Sequence, residues 1–446
     1  MSLAKDPAAY FVELFERAQR RLIGSEVLLA GLDAERSDFV RFNHGAVRQA
    51  GSVQQGVLSL DLIDGRAHAT ATIQLSGVAD LDRRRLDEHL LSLRERRAST
   101  PPDPYLLYAT DGASSVDVAT NDLPAATDAI GSIRSAIGLQ DLVGIYAAGD
   151  IYRGFANSLG QRNWFNARTF NLDWSLYLQG DKATKNQYGG FDWDDAEWNA
   201  RLAWSTTQLE ALGRPPVELS PGEYRTFLAP AAVQDVAAIL SWGGFGLKAQ
   251  RTKQTPLLRM FTDGAMFHPD VTITEDTAGG TSPRFNREGF SKPERVTLLE
   301  AGRYAESLIS PRSAEEYAVQ TNGASAHETP SSLSIRPGDI PADRVLERLG
   351  TGLYVGNLWY LNYSDRSACR ITGMTRFATF WVQDGEITAP VSALRFDDTC
   401  FNLFGRQLEG LTDRAELVLD PTTYGQRSDE SSRVPGALIH EMTFTL

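Results

Sequence analysis

Six histidines (His44, His68, His89, His268, His327 and His440) and two cysteines (Cys369 and Cys400) are the soft metal ligands this chain can offer. A hydrolytic zinc centre needs neutral imidazoles or thiolates, an open coordination position and a carboxylate that handles the protons of the attacking water. Two imidazoles reach one metal from one helix when they stand a turn apart, and no two histidines here have that i,i+4 spacing. His327-Glu328 and His440-Glu441 are HE pairs with no second histidine following. Each lone histidine therefore reads as a surface or turn residue. A metal site gathered from scattered residues such as His268, His327 and Cys369 is the alternative. Asp192, Asp194 and Asp195 read better as a polar loop that caps the next helix than as a metal cluster. There is no GxSxG elbow with a spaced histidine, no GxGxxG and no GxxxxGK[ST]. Gly243-Gly244-Phe245-Gly246 follows a helix and does not lead from a strand into one, so it makes no phosphate cradle.

The elements that would position such residues are those of a soluble folded protein. A chain of 446 residues is expected to hold two or three domains. Its 42% hydrophobic and 23% charged content is ordinary, and a net charge of −13 argues against a main role on nucleic acid. Two cysteines cannot build a disulfide framework and suggest a reducing compartment. Asp6, Glu13, Glu16 and Arg17 interrupt any N-terminal apolar run, and no stretch is long and apolar enough for a transmembrane helix. The expected location is cytoplasmic.

Section 1–100 reads as helix, meander, helix. Asp6-Pro7 opens a helix with Phe11, Leu14, Phe15 and Leu22 on one face. Asn43-His44-Gly45 and Asp64-Gly65 mark turns between alternating strands, and Leu86, Leu90 and Leu93 stripe a second helix. Ser99–Pro104 is a proline-rich linker. Section 105–213 then predicts a strand near Tyr105–Tyr108, a helix over about Leu123–Ile137, strands between Leu142 and Leu178, a polar stretch over Gly180–Asp195, and a helix through Leu209. Five of its tryptophans, Trp164, Trp174, Trp193, Trp198 and Trp204, fit core packing better than an aromatic groove. Section 219–446 is mainly β. The fold class is thus α+β, with antiparallel sheets and helices in the N-terminal sections and a mainly β C-terminal domain.

Within the C-terminal section, Gly222–Gly246 reads as a strand, a proline-started helix with Val233, Val236, Ala237 and Leu240 on its apolar face, and a glycine stop. Thr372–Glu386 reads as a strand buried on both faces, with a turn at Asp384-Gly385 and a return to Phe396. Asn362, Asp365, Arg376, Arg395 and Asp397 are polar residues set among apolar strand positions. They suit either an Arg–Asp network that ties hairpins together or a surface that holds an extended peptide at a strand edge.

Seven blocks in this order resemble the TldD/PmbA (TldD/TldE) family. They are ANSLGQ at Ala156–Gln161, PGEYRTFLAP at Pro221–Pro230, FNREG at Phe285–Gly289, SLSIRPG, GLYV, TGMTRFATFWVQDGEI, and RFDD at Arg395–Asp398. The resemblance spans essentially the whole chain and implies a cytoplasmic, dimerising protein. One branch, TldD, is a zinc protease with HExxxH on the helix after the LxP element. The other, TldE or PmbA, lacks the motif and pairs with TldD in cleaving unfolded or small peptides. The old label "modulator of DNA gyrase" belongs to the same family. Counted from Pro230, the motif falls at Ala238–Gly243, where its ligand and base positions hold Ala238, Ile239 and Gly243. The resemblance therefore implies a TldE/PmbA-like chain with no cofactor of its own and a TldD-like partner carrying the zinc. A peptidase active by itself through a non-standard metal site, or a peptide-binding or regulatory homodimer without proteolysis, are the alternatives.

Overall fold

The computed structural model describes residues 4–180 and 182–445. It is an α+β structure organised by two sheets. The N-terminal half runs α1 (Pro7–Gln19), β1 (Val27–Asn43), β2 (Ala46–Asp64), β3 (Ala67–Gln74), α2 (Ala79–Ala98), β4 (Ser115–Val118), α3 (Ala126–Ile137), β5 (Asp141–Asn157), β6 (Arg162–Gln179), β7 (Lys182–Gly190) and α4 (Asp195–Leu212). Among the described residues these strands form one seven-stranded sheet in the order β3-β2-β1-β5-β6, with β4 and β7 both on β6. All its pairings are antiparallel except β4 with β6.

The proline-rich stretch joins two parts of this one sheet, because β1 pairs along most of its length with β5. Sections 1–100 and 105–213 therefore share a sheet. Two local expectations differ from the structure. Tyr105–Tyr108 is irregular, since prolines remove ladder donors and the Tyr105 N–H is taken by Asp103 Oδ1 at 2.9 Å. The polar stretch after Gly180 holds strand β7, whose residues have weak strand preference and are ordered by pairing with β6.

Alternation sets the two faces of the sheet. Leu28, Ala30, Leu32 and Ala34 pack with Phe11, Phe15, Leu86 and Leu90 of α1 and α2. Further along, Val40, Phe42, Tyr146 and Phe170 pack with Ile133 and Trp198 of α3 and α4. Trp174 and Trp198 are fully buried edge-to-face, 5.1 Å between ring centroids, while Trp164 packs on Tyr152 and Trp204 on Tyr354. These tryptophans fill core and seams. Asp194 caps α4 by accepting the Ala196 N–H at 2.8 Å, and Asp195 accepts from Trp193 Nε1.

The C-terminal half runs β8 (Gly222–Leu228), α5 (Pro230–Ser241), α6 (Leu247–Arg251), α7 (Leu258–Thr262), β9 (Ile273–Glu275), β10 (Val296–Glu300), β11 (Arg303–Tyr304), α8 (Pro311–Tyr317), β12 (Ser332–Ile335), α9 (Val345–Leu349), β13 (Gly352–Asp365), β14 (Arg370–Gln383), β15 (Glu386–Pro390), β16 (Arg395–Thr399), β17 (Leu408–Leu419) and β18 (Ser431–Phe444). Strands β8, β13, β14, β16 and β18 close into a ring, because β18 pairs with both β16 and β8. Ile371, Phe396, Met442 and Phe444 are fully buried in its core. The middle of β14 is buried on both faces at Ala378, Thr379 and Phe380. Asp384 and Gly385, at φ 53° and 83°, make the tight hairpin turn that needs two left-handed residues. The return to Phe396 is split into β15 and β16.

The two halves meet through α4, where Trp204 packs on Tyr354 in a shared core, and again on the other face of the first sheet, which carries Asp33, Glu35 and Ser37. Arg427, in the loop between β17 and β18, enters that face. Its guanidinium donates to Thr169 Oγ1 (2.7 Å), the Thr169 carbonyl (3.0 Å) and the Gly149 carbonyl (3.3 Å), and its backbone N–H donates to Glu35 Oε2 (3.3 Å). Burial pushes its pKa down to about 10.

Candidate functional site

Helix α5 starts at Pro230, where the missing N–H costs no intrahelical bond, and buries Val233, Val236, Ala237 and Leu240. It ends at Ser241, and Gly243 at φ 78° turns the chain away. The three positions singled out in sequence therefore differ in setting. Ala238 is exposed, Ile239 is only 8% exposed with its carbonyl accepting Tyr363 Oη at 2.7 Å, and Gly243 lies beyond the helix. None offers a metal a donor side chain.

A cation closes the end of this helix. Arg366, at the tip of the β13–β14 hairpin, donates Nη2 to the Trp242 carbonyl (2.5 Å) and Nε to the Gln254 carbonyl (2.8 Å). Its guanidinium lies 5.3 Å from the Trp242 ring centroid and 4.9 Å from that of Tyr363. A side chain built on Gly243 would place its Cβ 2.7 Å from Arg366 Nη2. The guanidinium satisfies the Trp242 carbonyl at the negative end of the helix dipole and sets positive charge beside the motif position, where a metal ion would be repelled. The residues present do not fit zinc.

The scattered set fares no better. His268 accepts the Asp270 N–H at 3.3 Å, His327 is exposed, and Cys369 is fully buried, so the three do not converge. Among the described residues no group of three His, Cys, Asp or Glu side chains is placed to hold a metal ion. Cys369 and Cys400 are both free thiols with no exposure, on facing ends of β14 and β16, and the Cys400 N–H donates to the Cys369 carbonyl at 2.9 Å. The neighbouring Cys369 side chain and burial together raise the Cys400 pKa.

Asp235, on the same helix, is a site residue that sequence reading passed over. Strand β8 pairs with β13 only at Leu353–Val355, so the Leu358 N–H finds no strand partner there and donates to Asp235 Oδ2 at 3.1 Å. Burial raises the carboxyl pKa to about 6, against the opposing effects of the Leu358 hydrogen bond and the Lys185 charge. A raised carboxyl pKa contributes stability that is full below about 4 and is lost as pH rises through 6. Asp235→Asn keeps an acceptor for Leu358, so it is expected to be more stable than the parent by about 1–3 kcal/mol at pH 8. The difference should vanish near pH 4, as measured by urea unfolding at both pH values.

The polar residues of the C-terminal blocks lie on the outer side of the ring. Along β14, Arg370, Met374 and Arg376 are exposed while Ile371, Gly373 and Thr375 are buried. Asp397 pairs with Arg370 at 2.8 Å. Arg376 makes no ion pair among the described residues and stacks 4.5 Å over Trp359. Arg395 donates Nε to Thr372 Oγ1 at 3.3 Å. Asp365 caps the hairpin turn through the Ser367 and Ala368 N–H groups, and Asn362 Oδ1 accepts the Tyr363 N–H. Trp359, Tyr360 and Met374 are exposed beside them, with Tyr360 at 79% and held at φ 58°.

An α+β chain with a closed five-stranded ring and a proline-started helix packed against it defines the class, and comparison with known proteins supplies the family. Residues 221–446, just over half the chain, match the PmbA/TldA metallopeptidase C-terminal domain. The chain belongs to the TldD/PmbA family. No curated protein matches it in sequence. Among solved structures it is similar to TldE from Thermococcus kodakarensis (TM-score 0.75, 13% identity, covering 98% of this chain and 100% of that one). It is also similar to two candidate modulators of DNA gyrase. For the one from Thermotoga maritima the TM-score is 0.74, with 14% identity over 98% of this chain and 99% of that one. For the one from Bacteroides thetaiotaomicron it is 0.74, with 14% identity over 99% of each. At these identities the likeness establishes the fold.

Proposed function

We propose that the chain is a non-catalytic, TldE/PmbA-type subunit of a two-component zinc metallopeptidase that cleaves unfolded or small peptides. A TldD-like partner would carry the zinc and the general base. The observation that carries this reading is the end of α5, where Ala238, Ile239 and Gly243 offer no ligand and the Arg366 guanidinium covers the place. The likeness to TldE supports the branch. The exposed face with Trp359, Tyr360 and Arg376 has the residue types that dominate protein interfaces, and suits pairing with that partner. The net charge of −13 supports a role away from nucleic acid. Among the described residues no helix is long and apolar enough to cross a membrane, and the proposed location is cytoplasmic.

Elemental analysis of the isolated chain, with a peptidase assay on the same sample, tests the non-catalytic part. Substoichiometric zinc and no cleavage are expected. Stoichiometric zinc with cleavage by the chain alone would overturn it.

A further inference from the structure

A further contact between the two halves runs through the proline-rich linker. Near the end of that linker, the Asp103 N–H donates to the Arg66 carbonyl, in the turn between β2 and β3, at 2.8 Å. From the C-terminal half, α8 reaches the same place with two side chains. Arg312 Nη1 donates to Asp103 Oδ2 at 2.6 Å, and its guanidinium lies 5.2 Å from the Tyr105 ring centroid. Glu315 accepts from Arg66 Nη2 at 2.8 Å, and Arg66 also donates to the Pro104 carbonyl. The linker is thus pinned between the first sheet and α8.

His68 on β3 stands among these charges. Its Nδ1 is 2.9 Å from Asp61 Oδ1 and 3.0 Å from Asp61 Oδ2, on β2, and its Nε2 is 3.8 Å from Asp103 Oδ2. The three side chains are only 26%, 22% and 20% exposed for His68, Asp61 and Asp103. Three carboxylates, Asp61, Asp103 and Glu315, meet two guanidiniums, Arg66 and Arg312, so the cluster is balanced when His68 is charged. Glu288 feels the Asp61 charge and adds to the negative side.

The ring chemistry decides what a proton does here. An imidazolium donates from both nitrogens, whereas neutral imidazole has one N–H. If that N–H stays on Nδ1 for Asp61, Nε2 turns a lone pair toward the Asp103 carboxylate. The hydrogen bond to Asp61 raises the His68 pKa above its ordinary value, with burial and the Arg312 charge opposing and the Asp103 charge assisting.

We infer that His68 is a proton-operated latch between the two halves: its imidazolium ties Asp103 of the linker to Asp61 of the first sheet, and loss of the proton loosens the linker and its contact with α8. A histidine pKa raised by folding contributes stability that is full below its unfolded value of about 6.5 and is lost as pH rises through the folded value. The latch is closed in mildly acid solution and opens toward alkaline pH. It needs neither zinc nor a partner subunit, so the subunit proposal stands or falls separately.

Hydrogen exchange read by mass spectrometry on the full chain tests this at the Asp103, Tyr105 and Leu106 N–H groups, all of which are hydrogen-bonded. Corrected for the intrinsic pH dependence of exchange, protection of segment 99–109 is expected to fall about three- to tenfold between about pH 6 and about pH 8.5, tenfold being one pKa unit. His68→Gln keeps a neutral donor for Asp61 and cannot take up a proton. Its linker should show the parent's alkaline level of protection at both pH values. Asp103→Asn should flatten the response in the same way and lower the His68 pKa, followed by NMR titration of the imidazole. Equal protection of the parent linker at both pH values, or the same fall in His68→Gln, would overturn the inference. So would a parent His68 that titrates at or below the ordinary histidine value, a measurement that needs no variant to fold.

Discussion

Arg427→Ala is expected to destabilise the protein by about 3–5 kcal/mol, since each buried acceptor left without its donor costs about 1–3 kcal/mol. The size follows from what is left behind. Glu35 is 1% exposed, and besides the Arg427 N–H it accepts from Ser37 Oγ (2.9 Å) and Gln55 Nε2 (2.6 Å). Those donors are neutral. The Arg427 and Arg153 guanidinium charges both act on Glu35, and Arg427 also donates to the Gly149 and Thr169 carbonyls. Its loss leaves several buried acceptors unpaired and removes one of the two cations acting on Glu35, at a contact between the two halves. Arg427→Met combined with Glu35→Gln removes both charges and should recover only the part of the loss that comes from Glu35, which a double-mutant cycle in urea would read. A loss below about 1 kcal/mol for Arg427→Ala would show that the contact is a screened surface interaction.

Rebuilding the protease motif should fail, and at a large cost. The combination Ala238→His, Ile239→Glu and Gly243→His writes the family's zinc motif back into α5. Ala238 is exposed and should accept histidine. Ile239 is buried, so glutamate there loses apolar burial and brings a carboxylate into the core, for an expected loss of about 3–5 kcal/mol. Gly243 is at φ 78°, where a non-glycine residue costs about 1–2 kcal/mol, and its new Cβ would displace the Arg366 cap. The triple variant is expected to bind no stoichiometric zinc and to unfold at much lower denaturant. A stable triple variant with stoichiometric zinc would show that the site is only dormant.

Periodicity and punctuation made much of the fold legible. Pro230 and Gly243 bound α5 as expected, Asp6 caps α1 by accepting the Ala9 N–H at 3.0 Å, and Asp384-Gly385 turns β14 into β15. Pairing across long sequence distances was not legible. The β1–β5 pairing carries the first sheet across the Ser99–Pro104 linker, and β7 is ordered by a neighbour more than by its own residues. The site shows the same division. That Ala238, Ile239 and Gly243 carry no donor side chain is plain from the local sequence alone. The Arg366 cap comes from a hairpin tip 124 residues beyond Trp242, and no local spacing announces it. Register also decided the ion pair: Asp397 lies opposite Thr372 and diagonal to Arg370, so it pairs with Arg370 and leaves Arg376 to stack on Trp359.

Co-expression with an HExxxH-bearing TldD-like partner, followed by an unfolded-peptide cleavage assay with and without this chain, tests the subunit assignment. The two proteins should co-purify, zinc should be found at one equivalent per pair, and cleavage should require both. A partner that cleaves equally well without this chain, or a chain that forms a homodimer and ignores the partner, would contradict it.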